Sequence, residues 1–263
     1  MGTEARRAKL PDMASPPARA WTPADLPVVL LCGGLGTRMG TRSTRVPKPM
    51  VDVGGRPLLW HVMQGYSAHG CRRFVLCLGH LAPAIEDWWL AGPEPSWQVT
   101  LIDTGQDSLT GERLRRVSDS LPTDRPVFMT YGDGVADVDL GALLAHHQAQ
   151  GVHATVTAMR ARSRFGTLRT SGGRVVAFEE KPLLRDRVSG GFFVLEPQAL
   201  AHIRADEAFE VGALGRLAAA GQLAAYEHDG FWLSVDTPRD LAALNHRHQN
   251  GDRPWLAGRL EQP

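Results

Sequence analysis

The sequence is poor in cysteine: among 263 residues there are three, Cys32, Cys71 and Cys77, and no Cys-x-x-Cys pair. That excludes a disulfide scaffold and a thiolate zinc site, and it fits buried free thiols in a reducing, cytoplasmic chain. Charge of one sign is also missing, since 29 Lys+Arg against 28 Asp+Glu give a formal net charge of +1. Without a basic excess or a basic block, neither nucleic acid nor a membrane surface has its usual electrostatic footprint. Long apolar runs are absent as well. The stretch from Pro27 to Cys32 is far shorter than the roughly 18–20 residues a membrane span requires. No apolar segment follows Arg6, Arg7 and Lys9; Pro11, Pro16, Pro17 and Pro23 come instead, so residues 1–25 read as a disordered leader and not a signal peptide. HExxH, GxGxxG and GxxxxGK[ST] are all lacking, which removes support for a zinc hydrolase, a dinucleotide-binding dehydrogenase and a P-loop enzyme.

What is present is an ordinary globular composition, long enough to bury its own core. Leu26 to Cys32 is a continuously apolar run that breaks into Gly33-Gly-Leu-Gly-Thr-Arg38, the pattern of a buried strand entering a glycine-rich loop. Strands are expected next at Arg73–Leu78, Gln98–Asp103 and Pro126–Tyr131, with helices at Pro57–Tyr66, Ala82–Leu90 and Thr110–Leu121 between them. A helix over Leu140–Gln150 would put His146 and His147 on exposed polar surface. The remainder is richer in strands, at Ala154–Ala158, Gly166–Arg169, Arg174–Phe178, Gly190–Leu195 and Phe231–Val235, with one helix over Val211–Ala220. Alternating strands and helices predict an α/β fold: a Rossmann-like, mostly parallel sheet with helices on both faces, plus a strand-rich half. No linker or repeat interrupts it, so residues 26–263 read as one domain. Ligands of such sheets bind at the carboxyl ends of the strands, where both the glycine loop and Asp133 fall.

The chemistry-bearing residues gather at the same strand ends. Glycines let backbone N–H groups crowd a polyphosphate, and Arg38 and Lys48 add charge able to neutralise phosphate oxygens. Pro47 and Pro49 are expected to hold Lys48 in an extended, stiff segment. Asp133 and Asp236 each follow an apolar strand; alone, either reads as a cap. Trp60, Phe192 and Trp232 read as core, and no role is assigned to His61, His69, His146 or His147.

Several motifs in order, Gly33-Gly-Leu-Gly-Thr-Arg-Met39, Pro47-Lys-Pro-Met50, Asp103-Thr-Gly to Val117, Tyr131-Gly-Asp-Gly134, Arg164-Phe-Gly-Thr-Leu168, Phe178-Glu-Glu-Lys-Pro182, Gly190-Gly-Phe-Phe-Val194 and His228-Asp-Gly-Phe-Trp232 through Asp236, resemble the sugar nucleotidyltransferase family. The resemblance runs from about Val28 to Asp240 and is strongest to the branch that uses CTP. It implies transfer of a nucleotidyl group from CTP to a sugar 1-phosphate, glucose 1-phosphate first, with Mg²⁺ as cofactor. By the same resemblance Arg38, Lys48 and Asp133 are catalytic, Asp133 and Asp236 hold the metal, and Leu31, Gly33, Gly34, Gly36, Thr37, Gly111 and Arg113 bind the nucleotide, Arg113 at the cytosine. Gly166, Glu180, Lys181, Ser189 and Gly191 form the acceptor pocket, Lys181 at the phosphate. The family also implies a homo-oligomer as a possible state.

The sequence departs from the family at Thr41-Arg-Ser43, where acids are usual, and at Ser189, where the family carries Asn. The stretch Ala91–Ser96 is short, and Phe209–Leu214 carries over only Glu210 and Leu214. These departures touch substrate choice more than reaction type. Another nucleoside triphosphate, or an unusual sugar or cyclitol phosphate, is the nearest alternative; a non-catalytic nucleotide-sugar-binding regulator is the second.

Overall fold

The apolar run after Pro27 becomes β1 (Val28–Leu31), buried at every position, and the sheet is laid around it. The computed structural model describes residues 20–36 and 46–256. After β1 come a small ribbon, β2 (Asp52–Val53) with β3 (Arg56–Pro57), then α1 (Leu58–Ala68), β4 (Arg73–Leu78), α2 (Ala82–Leu90), β5 (Gln98–Asp103), α3 (Thr110–Val117) and β6 (Val127–Tyr131). The second half holds β7 (Gly134–Ala136), α4 (Leu140–Gln150), β8 (Ala154–Met159), β9 (Thr167–Ser171), β10 (Arg174–Glu179), β11 (Val188–Leu195), α5 (Pro197–Leu200), α6 (Ala213–Ala219), β12 (Leu223–His228), β13 (Trp232–Ser234) and α7 (Pro238–Gln249).

Seven strands form one continuous sheet in the order β12-β8-β11-β6-β1-β4-β5. All pairings are parallel except those of β11, which runs against both β6 and β8. Side chains alternate across β1: Val28 and Leu30 join the core under α1, α4 and α7, whereas Val29 and Leu31 join the core under α3 and α6. Burial on both faces is why β1 and β4 are written as unbroken apolar runs. Chain order reverses on the two sides of β1, so a crevice opens beyond the ends of β1 and β6. The expected mostly parallel α/β sheet, with helices on both faces and a strand-rich second half, is the fold observed.

Three local expectations change. Residues 20–25 are ordered, not the end of a disordered leader: Thr22 N and Oγ1 donate to Asp25 Oδ2 at 3.0 and 2.7 Å, and the Arg125 guanidinium lies 4.9 Å from the centre of the Trp21 ring. Residues 1–19 lie outside the described residues. His147 is buried, not surface; α4 turns it onto β8, where Nδ1 meets Thr155 Oγ1 at 2.9 Å and Nε2 meets Glu196 Oε1 at 3.2 Å. Lys48 opens a 3-10 turn, Lys48–Met50, in place of an extended segment, because Met50 N reaches back to Pro47 O at 2.8 Å. Cys32 and Cys77 are free and buried as expected, and Cys71 is free and buried as well. Among the described residues, no helix is long and apolar enough to cross a membrane.

Candidate active site

The crevice beyond β1 and β6 is a cleft of about 820 Å³, large enough for a nucleotide-sized ligand. Its floor begins where β1 stops. Gly33 O accepts from His80 N at 3.2 Å and from Arg113 Nη2 at 2.8 Å, which pins the glycine loop to its neighbours. A Cβ at Gly33 would lie 2.2 Å from Arg113 Nη1, so only glycine permits this approach. Gly36 then takes φ +60°, a left-handed backbone that favours glycine.

Lys48 is 8% exposed and is the centre of the cleft's charge. Its Nζ donates to Asp133 Oδ2 at 2.7 Å and to Asp236 Oδ1 at 2.7 Å. Asp133 is delivered by the Gly132-Asp-Gly134 turn after β6, held by Val235 N donating to Asp133 O at 2.9 Å. Asp236 follows β13, and capping of α7 is done by its neighbours: Thr237 Oγ1 accepts from Asp240 N at 3.2 Å, and Asp240 Oδ2 accepts from Thr237 N at 2.8 Å. The carboxylate of Asp236 is thereby turned to Lys48, with Arg164 Nη2 3.4 Å from its other oxygen.

Two carboxylate oxygens converging on one cationic point are hard donors of the kind Mg²⁺ takes, one or two from protein and the rest from phosphates and water. The Lys48 ammonium stands in for a cation there. Among the described residues, no group of three or more His, Cys, Asp or Glu gathers to hold a metal, so the protein offers this pair and not a closed cage.

Of the residues expected at the site, Leu31, Gly34, Gly36, Lys48, Asp133 and Asp236 line the cleft. Arg113, Ser189 and Gly191 line it too. The Arg113 guanidinium donates to Leu78 O, Gly105 O and Gln106 O at 2.9, 2.8 and 3.1 Å, so it splints the loops that frame the cleft. Burial lowers its pKa from the usual value. Gly111 is not on the cleft wall: its N–H goes to Glu207 O at 3.1 Å, and the preceding Thr110 lines the cleft instead. Gly166, Glu180 and Lys181 sit at the root of the β9–β10 arm and do not line the cleft; there Lys181 Nζ pairs with Glu180 Oε1 at 3.2 Å. Thr37 and Arg38 lie outside the described residues, as do Thr41, Arg42 and Ser43.

Phe192 and Trp60 pack in or against the core as expected, but Trp232 is also a cleft wall, its Nε1 donating to Gly190 O at 2.9 Å. Sequence reasoning gave no site role to Tyr131, Thr110 and Glu210, which meet in the cleft, nor to Arg164, although Glu210 carries over from the family. The Arg-Phe-Gly-Thr motif was the available signal for Arg164. Burial, followed by the Glu210 carboxylate, pushes the Tyr131 phenol well above its usual pKa and keeps it a donor.

Comparison with known proteins gives an independent view. The family described as nucleotidyl transferase matches residues 27–251. Glucose-1-phosphate cytidylyltransferase of Salmonella typhi is 40% identical over 251 residues, covering 86% of this chain and 97% of the relative. Its counterpart in Salmonella typhimurium gives the same identity and coverage, 40% over 251 residues. Among solved structures, HddC from Yersinia pseudotuberculosis superposes with a TM-score of 0.68 at 21% identity, over 85% of this chain and 99% of that one, which shows a shared fold.

Proposed function

The chain belongs to the nucleotidyl transferase family, and from that premise we propose that it transfers a cytidylyl group from CTP to a sugar 1-phosphate, glucose 1-phosphate foremost, giving a CDP-sugar and pyrophosphate. The curated relatives with 40% identity are named for this reaction. The observation that carries the reading is Lys48 Nζ held 2.7 Å from both Asp133 and Asp236 at the floor of a nucleotide-sized cleft.

In this reaction an oxygen of the sugar phosphate attacks the α-phosphorus as the bond to pyrophosphate breaks, and positioning and charge neutralisation dominate over covalent work. Lys48 brings an ammonium to the developing phosphate charge, and Arg38 is its partner by resemblance. Asp133 and Asp236 would hold Mg²⁺, which would supply charge neutralisation at the phosphate oxygens. The glycine loop, from Leu31 through Gly33, Gly34 and Gly36 to Thr37, cradles the phosphates, and Thr110 and Arg113 shape the wall that faces the base, with Gly111 anchored behind it to Glu207 O. Ser189 and Gly191 face the acceptor, with Gly166, Glu180 and Lys181 approaching from the arm. The reading treats residues 26–263 as one nucleotidyltransferase domain, preceded by a packed turn, and assigns it to the cytoplasm.

The test is pyrophosphate release with Mg²⁺, using CTP, UTP, dTTP, GTP and ATP against glucose 1-phosphate and a panel of sugar and cyclitol phosphates. Release with CTP and glucose 1-phosphate is expected. Release only with another pair overturns the substrate assignment and keeps the chemistry; silence with tight nucleotide binding overturns the enzyme reading.

A further inference from the structure

Glu210 lines the cleft but takes no part in the Lys48 pairings. Its carboxylate is the meeting point of two elements. Tyr131, the last residue of β6, donates its hydroxyl to Oε1, and Thr110, the first residue of α3, donates Oγ1–H to Oε2 at 2.6 Å. Thr110 Oγ1 also accepts from Phe209 N at 2.9 Å, and Gly111 N donates to Glu207 O at 3.1 Å. Phe209 is fully buried, its ring centre 5.6 Å from that of Phe193 in β11. The segment 207–210 is therefore rooted in the core and laces the start of α3 to the end of β6.

Hydrogen bonds to an ionised carboxylate are about twice as strong as neutral ones, so this lacing resists displacement of α3. One turn along α3 stands Arg113, which holds Gly33 O, the last carbonyl of β4 and the loop after β5. Any shift in the first turn of α3 thus reaches the glycine loop. At the other end of the lacing, Tyr131 lies two residues before Asp133.

We propose that Glu210 is a positioning residue that fixes the Thr110–Arg113 wall of the cleft relative to β6, and through it sets affinity and base preference for the nucleoside triphosphate. This rests on the reading that the cleft takes such a triphosphate. Glu210 acts through Thr110 and Tyr131, not on the reacting phosphorus, so its loss falls on binding and base choice more than on turnover.

The experiment compares wild type with Glu210→Ala, Glu210→Gln, Thr110→Val and Glu210→Ala/Thr110→Val. CTP and UTP binding are measured by calorimetry, kcat and KM by pyrophosphate release, and folding by thermal unfolding. Glu210→Ala is expected to weaken CTP binding and raise its KM about tenfold, with kcat within about threefold, and to narrow the gap between CTP and UTP. Glu210→Gln, which keeps one acceptor oxygen, recovers part of the loss. The double variant loses less than the sum of the two single losses, because both changes cut the Glu210–Thr110 link, although Thr110→Val also removes the acceptor of Phe209 N. Unchanged CTP binding in folded Glu210→Ala, a loss confined to kcat, or additive losses in the double variant overturn the proposal. If Glu210→Ala does not fold, Glu210→Gln and Thr110→Val carry the same comparison. Wild type that binds CTP but releases no pyrophosphate defeats the functional reading alone, and the binding ratios still decide the role of Glu210. Wild type that binds no nucleoside triphosphate overturns both.

Discussion

Lys48, Asp133 and Asp236 hold one another's charge, with side chains 9%, 30% and 10% exposed. Removing the lysine leaves two carboxylates facing each other, and removing one aspartate leaves the ammonium with half its partners. Lys48→Ala is therefore expected to cut kcat by about a hundredfold or more while the dissociation constant for CTP changes by less than about tenfold. Initial rates with calorimetry check this, and an equal loss in both quantities removes Lys48 from the transition state. Asp236→Asn, close in shape, should abolish turnover with the circular dichroism spectrum unchanged; retained activity removes its metal role. Lys48 stands between two prolines and each aspartate just beyond an apolar strand, but alone either aspartate reads as a cap, and the resemblance to the family is what joins the three. The Tyr131–Glu210–Thr110 link was not legible, since its partners are 79 and 100 residues apart and no local pattern joins them.

At the scale of elements, α1 carries a titratable group that the chemistry does not use. His61 is buried, its Nε2 2.8 Å from Val53 O in the β2–β3 ribbon, and its Nδ1 accepts from Trp255 Nε1 at 3.3 Å. That arrangement suits the neutral ring, and burial first, then the nearby His248 and Arg253, lowers its pKa to about 4 against the Val53 carbonyl and Asp52, which raise it. The unfolded chain takes up a proton below about 6.5 while the folded chain does not. Stability is thus fully present above that pH and declines as pH falls towards 4, by on the order of 3 kcal/mol. Urea unfolding between pH 7.5 and 4.5 should show the decline, and His61→Gln should flatten it; an unaltered slope in the variant assigns the effect elsewhere. Element legibility followed burial. β1, β4 and β6 announced themselves as apolar runs, whereas β12 is a half-buried edge strand and β7 and β13 are three residues each. α7 has only Leu241 and Leu244 buried, so its periodicity is faint, although the Thr237-x-x-Asp240 capping box is written in the sequence.

Across the whole molecule, the β9–β10 arm stands apart as a two-stranded sheet joined to no other strand among the described residues. Phe165, Leu168, Val175, Val176 and Phe178 on it are each more than half exposed. An isolated hairpin is marginal in water, and an apolar surface of this kind marks a site of association. With both outer edges unpaired among the described residues, the arm suits a second copy of the same chain. Sedimentation is expected to give a mass above the 28.6 kDa of one chain, lowered by Phe178→Lys; a wild type that sediments as one chain rejects this. β11 bears on a different question. Because it alone runs against its neighbours, the cleft receives its first residues and the core receives its last, Phe192 to Leu195. Glycines 190 and 191 are boxed in by Met159 and Tyr131, which leaves Ser189 as the open position on that entrance. On the proposed function, a lineage can thus rewrite which phosphate it accepts at the doorway of one strand while inheriting, unaltered, the sheet and the charge cluster at its floor.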